Sequence, residues 1–173
     1  MMTPSNADVL TQVVKWLRAF SPVWLATVAE SSDDSVVGSL WAWAPDFGMA
    51  GTLAGCQQED LRTQLKAGVL EGPFPRMFCF GEERDEQLRH GIRCDGQAKV
   101  ILERLTSADL PDIDQMLNWL ADGHPFLRHI SLHRPSELTL LDSPQSSVLS
   151  AQGFSHAFTP DVWSQTTLLR RSC

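Results

Sequence analysis

Residues Gly48 to Leu61 read GMAGTLAGCQQEDL, and the interpretation of the whole chain turns on them. Met49, Ala50, Thr52 and Leu53 suit a short buried strand. Gly51 and Gly55 permit close backbone approach or a positive φ, and from Gln57 onward the residues favour helix. Cys56 therefore falls in the first turn of a helix, with Glu59 and Asp60 in that turn to complement its dipole. The unpaired N–H groups of a helix start favour an anion and lower a thiol's pKa, and the same geometry holds phosphate. A small buried cysteine at a strand end, with glycines chosen for tight packing, fits these residues as well.

Upstream, Ser5 and Asp8 have the spacing of a capping box, and Val9, Leu10, Val13, Val14, Leu17 and Phe20 recur at helical spacing. A helix is expected from about Asn6 to Phe20, with Lys15 and Arg18 on a solvated face near its end. PVWLATVAE, from Pro22, reads as a strand that the proline can only begin, and Ser31 to Ser35 as an exposed polar loop. Val36 to Ala44 is expected as a second strand, turning at Pro45–Gly48 into the opening stretch. Trp41 and Trp43 lie two apart and share a strand face, where core packing or an oligomer contact explains them better than a ring-stacking ligand.

Downstream, Leu61 and Leu65 continue the helix to about Gly68. Phe74 to Phe80 (FPRMFCF) reads as a buried strand with Cys79 as inert core, followed by the polar GEERDEQLRHG with a short helix. In GIRCDGQAKVILER, Cys94 and Gly96 precede a strand over Ala98 to Leu102, so the turns bearing Cys56 and Cys94 converge at one end of a sheet. Thr106 and Asp109 cap a helix whose Leu110, Ile113, Met116, Leu117 and Leu120 form one face and which stops at Gly123. In FLRHISLHRPSELTLL, His129, Ser131 and His133 form the solvent side of a strand. As i and i+4 of a strand the two histidines are about 13 Å apart and share no metal ion.

A chain of 173 residues suits one domain, and 43% hydrophobic with 20% charged residues gives it a core to bury. The reading is a single α/β domain over 1–142, a mixed sheet of about five or six strands with helices packed on it. Residues 143–173, rich in Ser, Pro and Gln, form an extended C-terminal arm. A net charge of −7 excludes nucleic acid and anionic membrane as partners, since both require a basic patch. No signal peptide or membrane span is read, which points to the cytoplasm, where the four cysteines are expected as free thiols rather than a disulfide scaffold. No GxGxxG, P-loop, GxSxG or HExxH motif occurs.

Three ordered blocks, VWLATVAE, PDFGMAGTLAGCQQEDL and HGIRCDGQAKVILERL, resemble the N-terminal domain of the xanthine dehydrogenase accessory (XdhC/CoxI) family over about residues 9 to 142. The second is similar to that family's DG-x-x-x-GS-x-SGGC-x-E pattern and the third to its GLxCGGxxxVxxEPL pattern. The resemblance implies a non-catalytic chaperone that binds molybdenum cofactor (molybdopterin) and assists its sulfuration and insertion into a molybdenum hydroxylase. By carry-over, Cys56, Gly55, Gly51 and Gly38 form the cofactor-binding set, with Cys94 and Gly96 as its second wall. GFSHAFTPDVW, residues 153–163, is similar to the linker before the family's Rossmann domain, which implies a Rossmann-domain partner chain or a function lost; a homo-oligomer is the other candidate assembly.

The sequence also departs from the pattern. Where the family reads GSxPRxxGA, this chain has SSDDSVVGS, Ser31 to Ser39, so acid replaces a positive anion ligand and Gly38 alone is kept. Ala54 and Asp95 replace glycines of the two cysteine blocks. A degenerate interaction module of the same fold is therefore the alternative function. A sulfurtransferase using Cys56 ranks last, because no paired general base is visible.

Overall fold

The computed structural model describes residues 5–33, 36–53, 55–70, 72, 74–80, 97–131, 137–140, 153–158 and 166–169, with backbone alone at 55, 56, 131 and the last three ranges. Helix α1 (Asn6–Arg18) opens on the expected capping box. The Ser5 hydroxyl accepts from Asp8 N–H at 3.2 Å, and Asp8 Oδ2 accepts from Ser5 N–H at 2.9 Å. Strands β1 (Val23–Ser31), β2 (Leu40–Ala44) and β3 (Gly48–Gly51) follow as an antiparallel meander. Helix α2 (Gly55–Ala67) leads to β4 (Arg76–Phe80) and β5 (Ala98–Leu105). A 3₁₀ turn, Ser107–Asp109, then opens α3 (Leu110–Asp122), where Asp109 Oδ2 accepts from Thr106 N–H at 2.9 Å and left-handed Gly123 ends the helix as expected.

The first sheet has the order β3-β2-β1-β5-β4, so α2 carries the chain from one edge to the other. This is the expected α/β domain with a five-stranded sheet and helices packed on it, but where a mixed sheet was expected every described pairing is antiparallel. Both faces of the sheet are apolar. Val23 and Leu25 of β1 and Leu40 and Ala42 of β2 point into a core with α1 and α3, reached also by Phe126. Trp24, Ala26 and Val28, with Trp41 and Trp43, point the other way, onto Leu61 and Leu65 of α2. The two tryptophans of β2 thus do share one face, and they serve core packing, at 0% and 5% exposed.

Several boundaries move for physical reasons. β2 begins at Leu40 because residues 36–38 close a turn, with Gly38 at φ +88° donating to Val28 C=O at 2.7 Å. β3 and β4, expected to be buried, are the two edge strands and remain partly exposed; in β4 only Phe80 is buried. Helix α2 starts at Gly55, two residues before the expected onset, so Glu59 and Asp60 stand in its second turn. Glu59 pairs with Arg62 at 2.7 Å, while Asp60 faces inward and is buried. Cys79 is not an inert thiol: it is disulfide-bonded. Its edge position leaves the sulfur open to a second cysteine, and that cysteine lies outside the described side chains.

The C-terminal third adds a second antiparallel sheet of order β7-β6-β8-β9, from β6 (Phe126–Ser131), β7 (Glu137–Leu140), β8 (Gly153–Phe158) and β9 (Thr166–Leu169). Within the expected arm, residues 153–158 pair along the whole of β6, so this segment is integral to the sheet rather than a free extension. The other side of β6 carries Phe126, Arg128 and Ile130 against the first sheet. Arg128 is 1% exposed and ion-paired there to Glu103, itself 4% exposed, and its Nη1 donates to Thr27 Oγ1 at 3.3 Å. His129, expected to face solvent, is also buried, and stands opposite Glu137 and Ser155 in register on a strand paired along both edges. His133 lies outside the described residues.

Two outcomes follow from these contacts. Removing one partner of a buried ion pair strands the other's charge, so Arg128→Ala lowers unfolding free energy by about 3–5 kcal/mol in urea titration, whereas Arg128→Met combined with Glu103→Leu recovers much of the loss. The Ser5 backbone N–H, then its hydroxyl, hold the Asp8 carboxyl below its ordinary value. A carboxylate depressed in the folded state stabilises above its unfolded pKa of roughly 3.9 and loses that contribution as pH falls through the folded value. Asp8→Asn therefore flattens the acid limb of a stability-versus-pH curve below about pH 4 and is nearly silent in its pH dependence at neutral pH.

Candidate functional site

Antiparallel pairing decides which turns meet. β3 ends at Gly51, opposite Trp41 near the start of β2; β1 ends at Ser31, opposite Ala98 at the start of β5; and Ala98 pairs with Phe80 at the end of β4. One end of the first sheet therefore gathers Gly38, Gly51, the start of α2 at Gly55 and Cys56, and the two residues, Phe80 and Gln97, that border 81–96. Gln97 C=O accepts from Ser32 N–H at 2.9 Å, which ties this border to the end of β1. Cys94 and Gly96 lie outside the described residues, as do Asp34, Ala54 and Asp95.

The glycines at this end have different jobs. Gly51, at φ +81°, has no room for a side chain: a Cβ there would sit 2.4 Å from Leu40 C=O and 2.8 Å from Val9 Cγ2. Its glycine is explained by the approach of α1 on β3, on the face opposite α2. Gly38 is fixed by its turn and by Asn6. Gly55 and Cys56 occupy the first two positions of a thirteen-residue helix, so the expected placement of the thiol at a helix start holds for its backbone. Leu53 N–H is taken by Gln58 Oε1 at 3.3 Å, which links the approach segment to the helix it enters.

The residue that organises this end of the sheet is not singled out by the sequence. Asn6, 8% exposed, donates from Nδ2 to Gly38 C=O at 3.0 Å and accepts from Leu40 N–H at Oδ1, also 3.0 Å. Its amide thus stitches the start of α1 to both sides of the turn into β2. An amide-bearing residue directly after a helix cap is the available signal, but its partners are over thirty residues away and invisible in a local window. Below this end, on the α2 side, the indole N–H groups of Trp24 and Trp41 are buried without acceptors among the described residues. Among the described residues no His, Cys, Asp and Glu group has the arrangement of a metal site.

Asn6→Ala leaves Gly38 C=O and Leu40 N–H without their partner. It is expected to cost about 1–3 kcal/mol of stability and to speed hydrogen exchange of the Leu40 amide selectively over that of Ala26 in the sheet interior.

No family model matches the sequence, and no curated protein matches it. Among solved structures, the chain is similar to a Bacillus halodurans protein described as a xanthine dehydrogenase, with a TM-score of 0.55 and 18% identity. The likeness covers 98% of this chain and 46% of the other, so this chain spans a little under half the length of that protein. At this identity what is shared is the fold.

Proposed function

We propose that this chain is a non-catalytic accessory protein of molybdenum hydroxylase maturation, and that it binds molybdenum cofactor, or the molybdoenzyme receiving it, at the sheet end marked by Cys56. The observation that carries the reading is the convergence of Gly38, Gly55, Cys56 and both borders of 81–96 on one end of the first sheet. Two of the blocks resembling the accessory family supply Gly55, Cys56 and the Gln97 border, Gly38 is kept from the family's glycine in the preceding loop, and the fold is similar to a solved structure described as a xanthine dehydrogenase.

The groups at hand fit an anionic pterin in kind. The first turn of α2 offers backbone N–H donors and the positive end of a helix dipole, and Cys56 offers a soft sulfur ligand. Bound there, the cofactor would supply the molybdenum and dithiolene chemistry, while the chain's own residues hold and shield it. Gly51 enters this reading as a packing residue that sets the β3 end against α1 rather than as a contact. The protein is read as acting in the cytoplasm, with a molybdenum hydroxylase or a Rossmann-domain chain as partner.

A second reading, an interaction module of the same fold, is favoured by exposed Asp33 beside this end, next in sequence to Asp34 and Ser35, which stand where the resembling family carries a Pro-Arg pair. Like charge there opposes a phosphate-bearing ligand.

The experiment is co-expression with the cofactor pathway, followed by molybdenum and pterin analysis of the purified chain. Molybdenum and pterin should co-purify, and Cys56→Ala should lower their retention by at least about tenfold, the scale of metal-site substitutions. A chain that carries neither, and a Cys56→Ala variant that captures partner as well as the parent, would leave the interaction module standing instead.

A further inference from the structure

Of the two glutamines that follow Cys56, the more buried is the one without a bond. Gln58 is half-buried, and its Oε1 accepts from Leu53 N–H at 3.3 Å. Gln57 is 8% exposed, and its amide has no hydrogen-bond partner among the described residues. It stands in the first turn of α2, one turn before Leu61 and two before Leu65, on the stripe of the helix that packs onto the sheet. A leucine at 57 would have continued that stripe.

A second polar group is left over on the same face and at the same end. Trp41 stands opposite Gly51 in register, belongs to the cluster of Leu53, Leu61 and Leu65, and is 0% exposed. Its ring is packed, but its indole N–H has no acceptor, the Gln57 carbonyl included. Trp24, the other indole of this face without an acceptor, lies at the far end of β1, tilted against Trp43 and beneath Arg104, and is no part of this arrangement. Buried amides and N–H groups are nearly always paired, and an unpaired one is unfavourable for stability. Two of them at the start of one helix therefore need a cause.

We propose that Gln57 and Trp41 read a ring lactam, the N–H and C=O edge that a pterin carries, in a ligand held at the start of α2. A side-chain amide offers one acceptor and one donor side by side, which pair with the N–H and C=O of a lactam in two bonds. The indole adds a donor for a further ring nitrogen or oxygen, and the helix start takes an anionic substituent. The inference rests on the reading that this sheet end holds a ligand, and it adds the class of ring and two residues that select it. Selection of this kind is strong, because an analogue without the matching edge leaves buried polar groups unpaired. A guanine nucleotide presents the same edge, so the probes must separate the two sources.

The test is equilibrium dialysis of the full, ligand-free chain against pterin-6-carboxylate, guanosine monophosphate and adenosine monophosphate, whose ring carries no lactam. Pterin-6-carboxylate should bind, adenosine monophosphate should not, and Gln57→Leu should weaken the pterin by about tenfold, the scale of a lost hydrogen bond. Without ligand, Gln57→Leu should unfold at or above the parent's thermal midpoint, since it replaces an unpaired amide by an apolar group of similar size. In the nitrogen-labelled chain the assigned Trp41 indole resonance should shift with pterin-6-carboxylate and stay in place with adenosine monophosphate. Equal binding of pterin by parent and variant, equal binding of adenosine monophosphate, an unmoved Trp41 resonance, or a Gln57→Leu midpoint well below the parent's overturns the proposal. Guanosine monophosphate bound more tightly than the pterin upholds the lactam edge and rejects the cofactor reading. Binding of neither lactam overturns the proposal, and molybdenum and pterin that still co-purify with the parent then leave the cofactor reading standing.

Discussion

The first sheet is buried on both faces, and most of what this chain does structurally depends on that constraint. β1 lies at the centre of the sheet, between β2 and β5, and its alternate residues feed two separate cores: Val23 and Leu25 meet α1 and α3, while Trp24, Ala26 and Val28 meet α2. A strand covered on one side would have carried polar residues at every second position. Covering both sides also forces the chain to cross from β3 at one edge to β4 at the other over the α2 face, which delivers the start of α2 to the end of the sheet.

Polar groups inside such a structure need defined partners, and the ones present sit at its joints. Asn6 joins the start of α1 to the turn before β2, and Arg128 joins β6 to Glu103 and Thr27 of the first sheet. Neither contact adds much apolar burial. Each fixes how two elements meet, because any other docking would leave a buried amide or charge without its partner. The consequence for the candidate site is that the turn before β2 is held by Asn6, while the second sheet is fastened to β1 and β5 on the face that α1 and α3 also cover.

At the sheet end the chemistry divides among residues that look alike in sequence. Gly51 is required by a clash that any side chain would create with Leu40 and Val9, whereas Gly55 stands at a helix start. Cys56 and Cys79 approach the same end from α2 and from β4. The protein described as a xanthine dehydrogenase shares this architecture at 18% identity, which leaves the architecture in common and the side chains at the site to be judged on their own chemistry.

Local signals settled the elements that close on themselves. The Ser5–Asp8 and Thr106–Asp109 caps, the helical stripes of α1 and α3, the glycine stops at 68 and 123 and the shared face of Trp41 and Trp43 were all legible, because each depends on residues within a few positions of one another. The stretch Gly48 to Cys56 was legible as strand, glycines and helix start for the same reason, although the strand closes at Gly51 and leaves Thr52 and Leu53 outside it. Which strands lie at the edges, that Arg128 is buried rather than solvated, that residues 153–158 pair with β6, and that Cys79 is bridged were decided only by tertiary structure. These properties come from contacts between residues far apart along the chain, 101 positions in the case of Arg128 and Thr27. A period of two or 3.6 reports which face a residue takes but not what will cover it.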